Sequence, residues 1–167
     1  MFVRTASKRD LPAVRSLLVE TWHNTYDTIY GRDRVTTITD EWHSLTALEK
    51  QMQRPNSEFL VADDGTRIGG MAFAAMEPDA PGVLKLYQLY VLPSLQGRGI
   101  GGSLLDETES CFPEATTLKL EVVEENVKAV AFYLAQGFSQ TSRSAETDNS
   151  GVTTHALVLE RAILWAD

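Results

Sequence analysis

A glycine-rich turn in the middle of the chain carries the clearest chemical signal. Four glycines fall within six residues, at Gly97, Gly99, Gly101 and Gly102, shortly after Pro93 closes a strand-like run. Glycine lets a backbone adopt positive φ and approach a ligand closely. The free N–H groups of a helix that begins there, together with its dipole, form an anion site. The turn therefore predicts a phosphate-binding loop; the alternative is a strand–helix turn whose glycines serve packing.

Two common phosphate loops do not fit this turn. A Walker loop ends in Gly-Lys-Ser/Thr, which is absent here. A dinucleotide fingerprint has a different last interval and belongs to the βαβ unit at the start of its fold, whereas this turn lies in mid-chain. The spacing therefore does not favour a dinucleotide-binding oxidoreductase.

Two sequence blocks resemble the GNAT superfamily of N-acetyltransferases. The first is similar to the family's acyl-CoA motif and reads Gln96-x-x-Gly99-x-Gly101, preceded by Leu89-Tyr90-Val91-x-Pro93. The second block runs from Leu120 to Asn126 and continues with Ala129, Phe132, Tyr133, Gly137 and Phe138. The close match covers about residues 84–138 and keeps the family's order. The resemblance implies a GNAT-like fold and acetyl-CoA as co-substrate.

The resemblance also implies where coenzyme A binds. In the family, a strand that splays from its neighbour hydrogen-bonds the pantetheine arm through its backbone, and main-chain amides of the glycine turn hold the pyrophosphate. The positions so implied are Leu89, Tyr90, Val91, Gln96, Gly97, Arg98, Gly99, Ile100, Gly101, Gly102, Ser103, Asn126 and Tyr133. Arg98 and Ser103 would act through their side chains. Asn126 fits a plain helix N-cap equally well, and one residue can do both.

Tyr133 matches the family tyrosine that points at the sulfur of coenzyme A. It follows Asn126 by seven residues, two helical turns along the same face. Attack of an amine on a thioester expels a thiolate with a pKa of about 8.5, so a hydrogen-bond donor at that sulfur assists the reaction. The alternative is that Tyr133 is an aromatic core residue.

The reaction needs a general base, because an alkylamine is protonated at neutral pH and only its neutral form attacks. Histone acetyltransferases of the superfamily carry a Glu at the position of Lys85, whereas ribosomal-protein N-terminal acetyltransferases carry one at the position of Glu121. Strand alternation places Glu121 on the side opposite Leu120 and Val122. Glu121 is thus the candidate base. Its alternatives are an exposed strand carboxylate without a role, a water chain through Tyr87 or Gln88, and a base such as Glu77 or His155.

Aromatic residues near the N-terminus occupy the place where the family's first helices wall the acceptor pocket. The candidates are Trp22 and Tyr26, with Tyr87 on the sheet as a third acceptor contact. Stacking and neighbouring carboxylates would suit a cationic amine; the acids in question are Asp27, Asp33, Asp40 and Glu41. The alternative is that the aromatics pack one helix on another.

The elements that must position these residues follow from periodicity and turn signals. Ser7 and Asp10 stand three apart, as in a capping box, before a helix that begins near residue 11. Further helices are predicted over about 40–53, 99–112 and 126–136. Strands are predicted over about 2–6, 59–62, 68–76, 84–91, 117–123, 138–147 and 152–161, the last two joined by a turn at 148–151. The order predicts one α+β domain over residues 1–167, an α/β-type sandwich in which about four helices flank a mixed, mostly antiparallel sheet of about seven strands.

The amino-acid composition further limits the binding partners and the cellular location that the sequence predicts. The 167 residues include 23 acids against 15 Lys plus Arg, a formal charge of -8, which argues against a nucleic-acid partner. No run approaches the about 20 apolar residues of a membrane span. One cysteine, Cys111, and the lack of a signal-peptide pattern predict the reducing cytoplasm. Three dispersed histidines predict no metal site.

Together these features predict an N-acetyltransferase that moves an acetyl group from acetyl-CoA to a primary amine by direct attack in a ternary complex. The expected acceptor is a small cationic amine or a peptide or protein amine. The alternative is a non-catalytic module that binds or senses acyl-CoA. A homodimer is common in families of this kind, and no pattern in this sequence identifies an interface.

Overall fold

The protein, in a computed structural model that describes residues 1–147 and 151–164, forms seven strands and five α-helices within those residues. The strands are β1 (Phe2–Thr5), β2 (Ser57–Asp63), β3 (Ile68–Met76), β4 (Val83–Val91), β5 (Thr117–Val123), β6 (Ser139–Thr147) and β7 (Thr153–Ala162). The helices are α1 (Leu11–Tyr30), α2 (Arg32–Trp42), α3 (Leu45–Met52), α4 (Ile100–Ser110) and α5 (Val127–Ala135). The predicted turn at 148–151 falls mostly on residues 148–150, which lie outside the described residues.

The strands form a single mixed sheet in the order β1-β2-β3-β4-β5-β7-β6. Neighbouring strands are antiparallel except β4 and β5, which run parallel. The predicted α+β architecture with a mostly antiparallel sheet of about seven strands is therefore confirmed. The one parallel pair places the start of α4 and the start of α5 at the same edge of the sheet, because both helices follow the carboxyl ends of these strands.

Helices cover both faces of the sheet, and their apolar residues pack against it. Leu11, Val14, Leu17 and Leu18 of α1 are buried against the face that carries Val61. Leu60 and Ala62, the alternate residues of the same strand, lie in the core beneath α4 on the opposite face. Each face buries its own apolar core, so the sheet is fixed between two helical layers.

The helix predicted over 40–53 is wrong in its extent, because two helices share this region. α2 ends at Trp42, and α3 begins after Ser44, whose Oγ accepts a hydrogen bond from the Ala47 N–H at 3.1 Å. α2 contains five consecutive β-branched residues at 35–39, which lower helix propensity and hide it from pattern analysis. Burial of Val35 and Thr39 against its neighbours overrides that propensity. The described residues therefore contain five α-helices rather than about four.

The capping pair predicted at Ser7 and Asp10 also fixes β1. The Asp10 carboxylate accepts hydrogen bonds from the Ser7 N–H at 2.7 Å and from two nitrogens of Arg4 at 2.8 and 2.9 Å. The Arg4 guanidinium holds the pKa of this buried carboxyl well below its usual range. The pair links the first strand to the first helix, which confirms the spacing argument for the start of α1.

We expect Asp10→Asn to lower the free energy of unfolding at pH 7 by about 2–3 kcal/mol, because it leaves the Arg4 bonds with a neutral acceptor. The folded-state pKa of Asp10 is depressed, so its contribution is complete above the unfolded pKa of about 3.9 and is lost as pH falls toward the folded value. Urea denaturation from pH 7 to pH 3 should show the wild-type and variant curves converging. Asp106→Asn, at an exposed site on α4, is the control, and a constant difference across this range would contradict the prediction.

Candidate active site

The site begins where β4 and β5 part. Their parallel pairing covers only Val83–Leu86 against Thr117–Leu120, although both strands continue beyond it. A bulge at Tyr87, which no β3 residue opposes, marks the point of divergence. In the described part of the chain, no strand pairs with the side of residues 87–91 that faces away from β3.

A cleft of about 190 Å³ fills the gap between the two strands. It brings together eight of the residues predicted for the site, namely Trp22, Tyr26, Tyr87, Leu89, Tyr90, Glu121, Asn126 and Tyr133. Val91 does not line the cleft, and its carbonyl accepts a hydrogen bond from Gln96 Nε2 at 3.0 Å. The cleft exists because β4 and β5, which are distant in sequence, separate beyond their paired residues. The residues of the two sequence motifs then lie around it.

The glycine turn leads from the end of β4 into α4. Gly97 and Gly99 have φ of 79° and 84°, a region that other residues rarely adopt. The Gln96 N–H donates to the Pro93 carbonyl at 3.4 Å, whereas within the described residues the N–H groups of 97–102 donate to no backbone carbonyl. Six consecutive amides at a helix start, next to the exposed side chains of Arg98 and Ser103, can bind an anion.

Gly101 is needed for packing as well. A Cβ there would lie 2.9 Å from Phe132 Cζ, so a larger residue would require the Phe132 ring to move away from α4. Glycine is thus favoured at Gly101 by close packing, and at Gly97 and Gly99 by the positive φ of the backbone.

Lys128 is a residue that the sequence analysis missed. Its Nζ donates to Gln96 Oε1 at 2.6 Å, which places an exposed ammonium beside the turn. No motif marks this position, since the contact joins residues 32 apart in sequence.

Tyr133 is 8% exposed and forms one wall of the cleft. Its ring packs edge-on against Phe132 and Phe138, at centroid distances of 5.2 and 5.5 Å. Burial raises the pKa of Tyr133 well above its ordinary value, so the phenol stays protonated. Tyr133 is therefore both a core residue and part of the cleft wall, so the two interpretations of the sequence are compatible.

Asn126 connects α5 to the aromatic wall supplied by α1. Its Oδ1 accepts from the Ala129 N–H at 3.3 Å, as an N-cap does, and its Nδ2 donates to Tyr26 Oη at 3.4 Å. Tyr26 in turn packs on Trp22 with ring centroids 4.4 Å apart. Burial raises the pKa of Tyr26, as it does that of Tyr90 across the cleft. The contacts among Asn126, Tyr26 and Trp22 therefore both pack α1 against α5 and form a wall of the cleft.

Glu121 lines the cleft from β5 and points away from the buried Leu120 and Val122, as strand alternation predicts. Its Oε1 lies 3.8 Å from Lys85 Nζ. The two positions at which members of the superfamily carry a catalytic glutamate, Lys85 and Glu121 in this chain, are therefore neighbours. Of the other candidate bases, Glu77 accepts a hydrogen bond from Tyr87 Oη at 3.1 Å and does not line the cleft. His155 does not line it either.

The acids that the sequence analysis placed near the acceptor lie elsewhere. Asp27 pairs with His23 at 2.6 Å and Asp40 with Arg15 at 3.1 Å. Neither they nor Asp33 or Glu41 line the cleft. Within residues 1–147 and 151–164, no group of three or more His, Cys, Asp or Glu side chains is arranged to hold a metal ion. None of the described helices is long and apolar enough to cross a membrane.

Comparison with known proteins decides the family. The family model of the acetyltransferase (GNAT) domain matches residues 26–160. The chain belongs to the GNAT acetyltransferase family. The match includes both motif blocks, the end of α1 and every residue that lines the cleft except Trp22, so the resemblance found in the sequence is confirmed.

Relatives in the GNAT family carry related activities in their names. A peptidyl-lysine N-acetyltransferase, YjaB, of Salmonella typhimurium is 34% identical over 91 residues, 54% of each chain. The chain thus spans about half the length of that relative. Another peptidyl-lysine N-acetyltransferase, YiaC of Escherichia coli, is 29% identical over 81% of this chain and 82% of its own length.

Solved GNAT structures share the fold. The PaiA N-acetyltransferase of Thermoplasma acidophilum, crystallised with coenzyme A, superposes with a TM-score of 0.83 at 23% identity and covers 97% of this chain and 98% of its own. The ribosomal-protein-alanine N-acetyltransferase of Brucella melitensis has a TM-score of 0.76 at 21% identity, over 98% and 100% of the two chains.

Proposed function

We propose that this protein transfers an acetyl group from acetyl-CoA to the primary amine of an acceptor while both substrates are bound. The observation that carries the proposal is the cleft between β4 and β5, where Glu121 and Tyr133 stand on opposite elements around one space. Family membership supports the reaction class.

The residues that would bind acetyl-CoA follow one path from the cleft to the glycine turn. Leu89 and Tyr90 offer backbone groups beside the gap, in the manner of an added strand. The amides of residues 97–102 would hold the diphosphate, assisted by the positive charges of Arg98 and Lys128. The Thermoplasma acidophilum protein, which shares the fold, was crystallised in complex with coenzyme A, which supports coenzyme A as the ligand.

The chemistry would fall to two side chains. Bound acetyl-CoA supplies the activated acetyl group. Glu121 would take the proton that the acceptor ammonium must lose before its nitrogen can attack. As the nitrogen bonds to the thioester carbon and the carbon–sulfur bond breaks, Tyr133, whose pKa is raised by burial, would donate a hydrogen bond to the sulfur without giving up its proton. The proton that the nitrogen loses as the amide forms would pass through solvent to the leaving thiolate, which departs as the coenzyme A thiol.

Direct transfer is favoured over an acyl-enzyme by the position of the single thiol. Cys111 is exposed at the end of α4 and does not line the cleft. Partial desolvation and the nearby Glu58 and Glu107 raise the pKa of its thiol, which lowers the fraction of nucleophilic thiolate.

The acceptor would reach the cleft beside Trp22, Tyr26 and Tyr87, which form its walls. The names of YjaB and YiaC, two peptidyl-lysine N-acetyltransferases, support the lysine side chain of a peptide or protein as the acceptor amine. A small cationic amine remains the second acceptor class, and its support is the net charge of the whole chain.

The experiment that tests the proposal is a thiol-release assay with acetyl-CoA against a panel of peptides, amino acids and polyamines. Acetylation of at least one amine, confirmed by mass spectrometry, is the expected result. Thermal stabilisation by coenzyme A, growing with ligand concentration, should accompany it, while a reduced nicotinamide dinucleotide should give none. Stabilisation by coenzyme A without turnover of any amine would support the non-catalytic acyl-CoA-binding alternative instead.

Glu121→Gln should lower kcat/KM at pH 7 by about 10- to 100-fold, in keeping with the loss of a general base. The remaining rate should rise more steeply with pH, because the neutral amine must then form in solution before it binds. A pH–rate profile of both enzymes with the best acceptor measures this. Glu114→Gln, an exposed glutamate outside the cleft, is the control, and an unchanged profile in Glu121→Gln would show that another group is the base.

A further inference from the structure

A second cavity, of about 720 Å³, lies on the α1–α3 side of the sheet beside the cleft. It is bounded by α3 and the segment after it, by Trp42 and His43 at the end of α2, and by Phe73 on β3. Tyr87 and Gln88 line both this cavity and the cleft. A molecule in the larger cavity would therefore contact β4 at the bulge where β4 leaves β5.

The charges that line this cavity are positive, against the sign of the whole chain. Lys50 and Arg54 line it, and no carboxylate does so among the described residues, although the formal net charge is -8. Lys85 adds a third cation close by, with its Nζ 4.9 Å from the centre of the Tyr87 ring. The nearby acids are Glu121, beside Lys85, and Glu77, beside the Tyr87 hydroxyl. A basic pocket in an acidic protein selects ligands with negative charge.

Arg54 is held in a defined position at the boundary of the two spaces. Its Cζ stands 4.6 Å above the centre of the Tyr87 ring, and its Nη2 donates to Tyr87 Oη at 3.0 Å. Within the described residues, Arg54 forms no salt bridge, so its other N–H groups have no carboxylate partner. A guanidinium fixed by stacking offers a planar pair of donors that matches a carboxylate.

His43 is a buried residue in the wall of this cavity. Its side chain is 3% exposed, and its Nδ1 has no hydrogen-bond partner in the described structure, although it lines the cavity. Burial and the charge of Arg15 lower the pKa of His43 to about 4, so the ring is neutral at working pH. The protein itself encloses this nitrogen, so the neutral ring adds no charge to the cavity and leaves Lys50 and Arg54 to set its sign.

We propose that the acceptor carries a carboxylate close to the amine that is acetylated, and that Arg54 binds this carboxylate in the larger cavity. The inference rests on the proposed acetyl transfer and names the substrate class for the same site. Lys50 would add long-range attraction, and Trp42, 59% exposed at the rim, would cover the apolar part of the acceptor. The chemistry fits a free amino acid and a peptide with an acidic residue next to the acetylated amine.

The test uses acceptor pairs that differ only in that charge. One pair is a free amino acid and its amide; the other is a lysine peptide with Glu or with Gln beside the lysine. For wild-type protein, kcat/KM should favour the acid member of at least one pair by about 10- to 100-fold, the range expected for a charge-assisted bidentate contact. The pair that shows the preference identifies the source of the carboxylate.

In Arg54→Gln, the ratio between acid and amide acceptors should fall to within a few-fold of one. Lys50→Gln should reduce the ratio less and should weaken its dependence on salt. Arg9→Gln, an exposed arginine outside the cavity, should keep the wild-type ratio. Because each result is a ratio within one enzyme preparation, partial misfolding of a variant does not alter it.

Two failures are distinguishable. No turnover of any amine by wild-type protein would overturn the proposed function. Turnover with equal kcat/KM for the acid and amide members of both pairs, or a preference that Arg54→Gln leaves unchanged, would overturn this inference alone.

Discussion

Gly99→Ala should weaken coenzyme A binding by about 10- to 100-fold, because the new methyl group would stand where the diphosphate must approach the amides of the turn. Gly99 has φ of 84° and begins α4, and a Cβ built there meets no atom within 4 Å. The open space is the space we assign to the ligand. Isothermal titration with coenzyme A measures the change in Kd.

Backbone strain must be separated from this effect, and the chain offers a matched control. Gly65, in the turn between β2 and β3, has φ of 97° and likewise has no atom within 4 Å of a built Cβ. Alanine costs about 1–2 kcal/mol of stability in this left-handed region at either site. Gly65→Ala should therefore lower the melting temperature similarly while leaving the Kd unchanged. Equal Kd values for both variants would remove the glycine turn from the binding site.

The parts of the site that the sequence predicts are those in which one short segment determines geometry. Gly97 and Gly99 require positive φ at their own positions, and the spacing from Asn126 to Tyr133 follows from helix periodicity alone. The side of β5 on which Glu121 points follows from alternation. Such features need no knowledge of distant residues, which explains why two motif blocks were sufficient to identify the family.

The parts that the sequence does not predict depend on contacts between distant segments. The contact between Arg54 and Tyr87 joins residues 33 apart, and the link from Lys128 to Gln96 spans 32. α2 is hidden by its β-branched run and forms because tertiary burial of Val35 outweighs propensity. The proposed acceptor-binding surface is formed mainly by contacts between distant segments. The sequence therefore indicates a transferase more clearly than it indicates the acceptor.

The net charge can be read from the sequence, whereas the local charge at the site depends on the fold. A net charge of -8 suggested a cationic acceptor, yet the cavity beside the cleft is lined by Lys50 and Arg54. The acids at Asp27 and Asp40 are paired with His23 and Arg15. The local field at a site depends on the few charges within about 10 Å, because salt screens the remainder. Net charge is therefore a weaker guide to the acceptor than the lining of the cavity.

Tyr133→Phe should lower kcat by about 100- to 1000-fold with little change in the affinity for acetyl-CoA. The change removes one oxygen, and the ring keeps its contacts with Phe132 and Phe138, so the fold should be retained. The hydroxyl would act on the sulfur only as charge develops there, which is why the rate falls and ground-state binding does not. Steady-state kinetics together with titration of coenzyme A separates the two effects.

A matched tyrosine tests whether the loss is specific to the proposed position. Tyr30 stacks on Tyr26 at a centroid distance of 5.4 Å but does not line the cleft. Tyr30→Phe should therefore leave kcat within about two-fold of wild type, as expected for a substitution that touches no reacting group. If Tyr133→Phe lost affinity and rate in equal proportion, its hydroxyl would bind the substrate without assisting the departure of the thiol. If it lost neither, the hydroxyl would not assist the departing sulfur, and the buried phenol would serve only the packing of α5.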